Sequence, residues 1–198
     1  MTIRLEIDGT GRECELDDME VFLKNILAEL KEESKVITLV TVNGEEEYSD
    51  IAELLNIDTS EIKSMSVRTA SYHSLCINTL SEMLEYLSRL DDGYETIGEL
   101  VENDKISEAM TILNSAIEGI EWMNTAFSKI INLLKIDLTE DENLFIARYG
   151  EHLSELMKAL ESQDYVTVKD IVLYEMREDV SSWKDLLEKY KREGEKIH

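Results

Sequence analysis

Hydrophobic and polar positions in the first 70 residues switch between a period of two and a helical period. The stretch TIRLEID, residues 2–8, alternates apolar and polar side chains as a half-buried strand does, and DGTG at residues 8–11 suits a tight hairpin turn. A second short strand is predicted after this turn. Asp17 or Asp18 then caps a helix. The apolar side chains of that helix fall on one side: Met19, Phe22, Leu23, Ile26, Leu27 and Leu30.

A second hairpin is predicted where the apolar run VITLVTV, residues 36–42, meets Asn43 and Gly44. Asn-Gly between two strands is the strongest two-residue hairpin signal. The acidic run Glu45 to Glu47 follows at once, which predicts that the second strand is an exposed edge of the sheet. Charges on an edge strand discourage another chain from pairing with it. The alternative is that this edge docks a basic partner.

A short helix at Asp50 to Leu55 and a last strand in IKSMSVRT, residues 62–69, complete the order β-β-α-β-β-short helix-β. This order resembles the ubiquitin-like β-grasp fold over Thr2 to Thr69. The resemblance implies a small sheet with one helix. It does not imply conjugation, because the last strand leads into the rest of the chain and not into a free diglycine tail. A ferredoxin-like or other α+β sandwich is the alternative.

After Ala70 the apolar residues recur only at helical spacing. A helix is predicted from Ser71 to Leu90, and the DDG at residues 91–93 predicts its end. A shorter helix is predicted in YETIGELVEND, residues 94–104. From Lys105 to Ile136 the helical spacing continues without a break.

Two further helices complete the second half. Thr139 and Glu142 have the spacing of a capping box and predict the start of one helix, and the last helix begins near Asp164. Amphipathic helices joined by short loops favour an antiparallel bundle of four or five helices. The predicted fold class is therefore α+β, with a β-grasp-like domain at residues 1–70 and a helical bundle at residues 71–198.

The charge balance excludes two classes of partner. The chain has 20 basic and 44 acidic residues and a formal net charge of -24, so its field repels phosphate backbones and anionic lipid headgroups. Neither nucleic acid nor a membrane surface is expected as a partner. The N-terminal stretch is charged from its fourth residue, and the sequence contains no long apolar run, so neither a signal peptide nor a transmembrane helix is predicted.

The cysteines and histidines carry little recognisable chemistry. Cys14 and Cys76 are too far apart to indicate a disulfide framework, which favours a cytoplasmic protein. His73 precedes Cys76 by three residues on one predicted helix face, a spacing at which an imidazole activates a thiolate. The alternative interpretation is a buried cysteine next to a histidine at a helix start.

His152 lies next to Glu151 and within one turn of Tyr149 and Glu155, as in some metal sites of helical bundles. The paired Glu-x-x-His motifs of di-iron bundles and the HExxH motif of zinc proteases are both absent from the sequence. We therefore predict no metal and no cofactor, and we interpret His152 as a residue of the bundle.

Large side chains in the helical half suggest a binding surface. Aromatic residues and methionine are favoured where partner helices dock. The candidate partner-binding residues are Trp122, Met123, Tyr174, Trp183 and Tyr190. Packing in the bundle core is the alternative for each of them, and above all for Trp183.

The stretches DKISEAMTILNSAIEGIEWMNTAFSKI at residues 104–130 and ALESQDYVTVKDIV at residues 159–172, together with the last tryptophan-containing helix, resemble the bundle of bacterial flagellin export chaperones. The resemblance covers Ser71 to Glu193, and the N-terminal part has no counterpart in that family. It implies that the bundle holds an amphipathic segment of an unfolded client in an apolar groove.

These observations together predict a cytoplasmic, non-enzymatic interaction protein, adaptor-like or chaperone-like, whose partner is another protein or a second copy of itself. Two alternatives stay open. The first is an enzyme that uses scattered carboxylates or the pair His73 and Cys76. The second is a structural homodimer in which the long helices of two chains pair.

Overall fold

The computed structural model of the chain describes residues 2–196, so His198 lies outside the described residues. The chain divides into two compact units, Met1–Leu75 and Cys76–His198. The boundary predicted after Ala70 lies a few residues before this division.

The first hairpin is formed by β1, Thr2–Ile7, and β2, Thr10–Glu15, which pair antiparallel. Asp8 and Gly9 connect the strands with φ angles of 48° and 84°. A two-residue turn with positive φ at both positions matches the twist of antiparallel strands, which explains why this turn forms here.

Helix α1, Met19–Glu32, begins as predicted, because the side chain of Asp18 accepts a hydrogen bond of 3.0 Å from the backbone N–H of Val21. Its apolar face packs on the sheet, and the predicted apolar positions are buried with the exception of Leu27, which is 40% exposed. The helical period of the sequence therefore identified this element and the direction that it faces.

The second hairpin consists of β3, Lys35–Val42, and β4, Glu46–Tyr48. Asn43 and Gly44 take positive φ angles of 53° and 79° at the turn. Asn43 also accepts hydrogen bonds through Oδ1 from the backbone N–H groups of Lys63 at 2.8 Å and Ser64 at 3.2 Å. The turn residue thus connects the hairpin to the start of the last strand.

The sheet is completed by the short helix α2, Ile51–Leu54, a single 3-10 turn at Thr59–Glu61, and β5, Ser64–Ser71. The strand order is β2-β1-β5-β3-β4, and only β1 and β5 pair in parallel. This β-grasp-like arrangement confirms the predicted order of elements. Strand β4 is an edge of the sheet, and Glu45, Glu46 and Glu47 are exposed, as predicted.

The second unit is an antiparallel bundle built from long helices joined by short loops, which confirms the predicted fold class. The helices are α3, Tyr72–Glu102; α4, Ile106–Leu134; α5, Glu140–Glu161; α6, Tyr165–Asp170; and α7, Arg177–Glu195. The six residues between α6 and α7, Ile171–Met176, form a π-helical segment, so that the last helix is nearly continuous from Tyr165 onward.

The predicted end of the first bundle helix at residues 91–93 is wrong, because α3 continues through Gly93 to Glu102. Leu90, Tyr94 and Ile97 are buried and extend the apolar face of the helix across this stretch. A side chain on another helix also holds it, since Arg177 donates to Asp91 at 2.8 Å. Tertiary packing therefore outweighs the local helix-ending signal.

The π-helical segment follows from the spacing of four buried residues. Val168, Val172, Met176 and Val180 recur at steps of four and are all buried. An α-helix has 3.6 residues per turn, so each step of four rotates the side chain by about 40° away from the core. The wider π turn absorbs this rotation and keeps all four side chains on one face.

Two glycines allow large side chains to approach neighbouring helices closely. Leu173 packs against Gly98 of α3, where a Cβ would lie 2.7 Å from Leu173 Cδ1. Tyr86 lies across Gly119 of α4 and donates a hydrogen bond of 2.8 Å to the carbonyl oxygen of Ala116. At Gly119, helices α3 and α4 therefore approach closely enough that a Cβ would displace the Tyr86 side chain.

We expect Gly119→Ala to destabilise the bundle by about 1–2 kcal/mol, because overpacking outweighs the better helix propensity of alanine. A Cβ at this position would lie 2.5 Å from Tyr86 Cε2. Urea unfolding measures the change. The control is Gly150→Ala on α5, where a Cβ meets no atom within 4 Å and alanine should stabilise by about 1 kcal/mol. A stabilising Gly119→Ala would contradict the packing described.

None of the helices within residues 2–196 combines the length and the apolar character that crossing a membrane requires.

Candidate functional site

A groove of about 790 Å³ lies between α5 and α7 and is here called the α5–α7 groove. It is open to solvent. Its lining residues on α5 are Asp141, Glu142, Leu144, Phe145, Ala147, Arg148 and Glu151, and those on α7 are Ser182, Asp185, Leu186 and Lys189.

The inner surface of the groove is apolar and is supported by aromatic side chains of the core. Phe145 packs edge-on against Trp183, with ring centroids 5.3 Å apart, and stacks on Tyr149 at 6.4 Å. Leu144, one residue before Phe145, is 63% exposed at the groove. Leu144 therefore adds exposed apolar area beside the apolar inner surface of the groove.

Glu142 joins the two helices at one end of the groove. One of its carboxylate oxygens accepts from the backbone N–H of Thr139 at 2.8 Å, which completes the predicted capping box of α5. The same carboxylate accepts from Tyr190 Oη at 2.7 Å and from Lys189 Nζ at 2.8 Å on α7. A residue predicted only as part of a cap therefore also connects α5 to α7.

The surroundings of Glu142 change its acidity. Partial burial would raise the pKa of this carboxyl, but the hydrogen bonds from Lys189, Thr139 and Tyr190 outweigh burial and lower the pKa from 4.5 to about 2. The carboxylate is consequently ionised in the folded protein at neutral pH.

We expect Glu142→Gln to destabilise the bundle at pH 7 by on the order of 2 kcal/mol, and the deficit to disappear toward pH 2. A lowered pKa stabilises the folded state above pH 4.5, and this contribution is lost as the pH falls to about 2. Urea midpoints at several pH values test this. Glu140→Gln, in the same first turn of α5 but outside these hydrogen bonds, is the control. An equal pH dependence in both variants would contradict the assignment.

Charged residues surround the apolar surface of the groove. The acidic rim consists of Asp141, Glu151 and Asp185, and these carboxylates form no ion pair within residues 2–196. The two cations of the groove are both engaged. Lys189 is paired with Glu142, and a guanidinium nitrogen of Arg148 lies 3.9 Å from Asp179 Oδ1.

A buried hydrogen-bonded pair lies beneath the groove. Asp179 of α7 is fully buried, and its Oδ2 lies at a hydrogen-bond distance of 2.6 Å from His152 Nδ1 on α5. The other ring nitrogen of His152 is 3.6 Å from a carboxylate oxygen of Glu175, in the π-helical segment. Arg148 contacts Asp179 from the groove side.

The chemistry available to this pair is limited. A histidine oriented by a buried aspartate is the arrangement of a general base, but a base also needs a nucleophile or a substrate within hydrogen-bond reach. Nδ1 faces Asp179 and Nε2 faces the Glu175 carboxylate, and neither is a nucleophile that such a base activates. Within residues 2–196, no group of three or more His, Cys, Asp and Glu side chains is placed to hold a metal ion.

The structure distributes the candidate binding residues over two kinds of position. Met123, Trp183 and Tyr190 are buried, whereas Trp122 is 42% and Tyr174 is 72% exposed. Trp183 and Tyr190 support the groove from within, through Phe145 and Glu142. Trp122 packs edge-on against Tyr86 at 6.1 Å, and Tyr174 lies in the π-helical segment. Their role in partner binding stays a prediction.

The surroundings of the Cys76 thiol do not support the hypothesis that His73 activates it. Cys76 is 2% exposed, and burial raises the pKa of its thiol. This shift favours the neutral thiol over the nucleophilic thiolate.

The sequence pattern did not identify Asp179, Leu144 or Arg148 as residues of a functional site. A signal for Asp179 exists, because it occupies a position of the apolar stripe between Met176 and Trp183. A charged residue on an otherwise apolar stripe requires a buried partner. No such signal identifies which helix supplies that partner.

Comparison with known protein families gives one match. Residues 78–186, just over half of the chain, match the family model described as Domain of unknown function (DUF8042). The matched range contains most of the bundle and most of the α5–α7 groove, and it excludes the N-terminal sheet. No curated protein and no solved structure matches the chain.

Proposed function

The chain belongs to the DUF8042 family, and we propose that it is a non-enzymatic, cytoplasmic interaction protein whose bundle holds a helical segment of another protein in the α5–α7 groove. The observation that carries this proposal is the apolar inner surface of the groove with Leu144 exposed at its side. Burying such a surface against an amphipathic helix removes apolar area from water.

The dimensions of the groove suit a helix. Its lining residues on α5 extend from Asp141 to Glu151, which corresponds to about 15 Å along the helix axis, or nearly three turns. A partner helix of this length presents apolar residues at three- and four-residue steps, and these steps match the spacing of Leu144 and Arg148 on the receiving helix.

Leu144→Glu tests the proposal. The full chain is used as bait in native lysate, bound proteins are crosslinked, and crosslinked residues are mapped by mass spectrometry. We expect partner crosslinks on α5 and α7 in the wild-type protein and their loss in Leu144→Glu, because a carboxylate at Leu144 would have to be desolvated on binding.

The matched control is Met157→Glu. Met157 is also an exposed apolar residue of α5, at 47%, but it does not line the groove. Partner crosslinks that persist in Leu144→Glu, or that disappear equally in Met157→Glu, would overturn the proposal. Recovery of the protein's own chain alone, with a doubled mass in solution, would favour the structural homodimer instead.

A further inference from the structure

We propose that the segment held in the α5–α7 groove is a basic amphipathic helix, with an apolar stripe flanked by lysine or arginine. This inference rests on the proposed function, because it names the chemistry of the partner for the same groove. It is carried by the acidic rim, which places carboxylates from both helices beside the apolar surface.

The acidic rim is free to pair with a ligand. Asp141 and Glu151 lie on α5 and Asp185 lies on α7, and these carboxylates have no cation partner within the described part of the chain. A helix bound between them would reduce their hydration and strengthen their interaction with any opposite charge on that helix. A lysine or arginine on each flank of the bound helix would meet one of these carboxylates.

The cations of the groove do not offset the acidic rim. Lys189 donates to Glu142, and this hydrogen bond raises the pKa of Lys189, so its charge is already compensated. Arg148 lies between the Phe145 ring and Asp179, at 6.0 Å from the ring centroid and 3.9 Å from the carboxylate oxygen. An acidic helix would therefore place its carboxylates beside rim carboxylates that form no ion pair within residues 2–196.

The same charges argue against a second copy of this chain in the groove. A two-fold dimer places the same surface patch of each copy against the other. Pairing the groove with itself would bring two acidic rims together, and like charges at an interface suppress association. A different protein with basic residues fits the groove better than a copy of the chain.

The test uses two synthetic helical peptides of about 15 residues, a length that covers the groove. Both have leucine at alternating three- and four-residue steps. One has lysine and the other has glutamate at the flanking positions. Each peptide carries a fluorophore, and its binding to the full chain is followed by fluorescence anisotropy at 0.1 M and 1 M salt.

The lysine peptide should bind, and the glutamate peptide should not. Neutralising the acidic rim by Asp141→Asn, Glu151→Gln and Asp185→Asn together should weaken binding of the lysine peptide about tenfold, the combined value of a few exposed ion pairs. High salt should weaken it in the same direction, because the screening length falls from about 10 Å to about 3 Å.

The matched control neutralises three exposed carboxylates of α4 by Glu108→Gln, Glu118→Gln and Glu121→Gln, with the same change in net charge. It should bind the lysine peptide like the wild-type chain, which separates the acidic rim from the overall field. Because Asp141 lies in the first turn of α5, where acidic residues stabilise the helix, urea unfolding of both triple variants accompanies the binding measurements.

The outcomes separate the two proposals. Leu144→Gln removes the apolar side chain without adding charge. Equal binding of both peptides, lost in Leu144→Gln, would overturn the basic partner and leave the groove as a docking site. Equal weakening by the rim and α4 variants would also overturn it, since overall charge would then explain the binding. Absence of binding by the lysine peptide, or binding unaffected by Leu144→Gln, would overturn both.

Discussion

Replacing His152 with leucine is expected to destabilise the bundle by about 3 kcal/mol, because it leaves the buried carboxyl group of Asp179 without its hydrogen-bond partner. The side chain of Asp179 is 1% exposed and would lose its bond of 2.6 Å to His152 Nδ1. Only the contact of 3.9 Å with Arg148 would remain. Urea unfolding at pH 7 measures the loss.

The size of the loss in stability depends on which partner of the pair is removed. His152 is 19% exposed and can be hydrated without Asp179, whereas Asp179 has no access to water without His152. The double variant His152→Leu, Asp179→Leu should therefore recover most of the stability, because an apolar pair of similar volume replaces a buried hydrogen-bonded pair at little cost. A double variant as unstable as His152→Leu would contradict this account.

The second carboxylate near His152 gives a further measurement. Glu175→Gln, which removes only the partly exposed carboxylate at 3.6 Å, should change stability by less than about 1 kcal/mol.

The N-terminal sheet was predictable because its signals are local. Asp18 caps α1 through its own side chain, and Asn43 with Gly44 forms a turn from two adjacent residues. The alternation of Ile3 and Leu5 with polar neighbours sets the face of β1. Each of these features acts within a few residues, so the sequence pattern contains it directly.

The bundle was less predictable where distant contacts decide its shape. The DDG at residues 91–93 predicted a helix end, but Arg177 binds Asp91, and α3 continues. The π-helical segment at Ile171–Met176 was not predicted, although the steps of four from Val168 to Val180 are visible in the sequence. A run of such steps shows that the helix must widen somewhere if all of these side chains are to face the core.

The candidate site was the least predictable part. The capping box predicted the role of Glu142 within α5, but its bonds to Lys189 and Tyr190 join residues that are far apart in sequence. The pair of His152 and Asp179 is of the same kind. Helical periodicity assigns a residue to a face of its own helix, and it does not identify the residue that this face meets on another helix.

Replacing Trp183 with alanine is expected to destabilise the bundle by about 3–5 kcal/mol, as deletion of a large buried aromatic side chain usually does. Trp183 is 2% exposed, and its ring packs edge-on against Phe127 at 5.0 Å on α4 and against Tyr149 at 5.6 Å on α5. With Phe145 at 5.3 Å, these contacts join α7 to two other helices. Trp183→Phe, which keeps an aromatic ring, should lose considerably less.

Trp122→Ala is the matched control, because these are the two tryptophans of the chain. Trp122 is 42% exposed and has one edge-on contact, with Tyr86, so its removal should cost about 1 kcal/mol. Each variant keeps one tryptophan, whose fluorescence follows urea unfolding. Phe145 lines the groove and packs against Trp183, so Trp183→Ala should also weaken the proposed partner binding under conditions where the bundle is still folded. Equal losses of stability in Trp183→Ala and Trp122→Ala would show that Trp183 does not hold α4, α5 and α7 together.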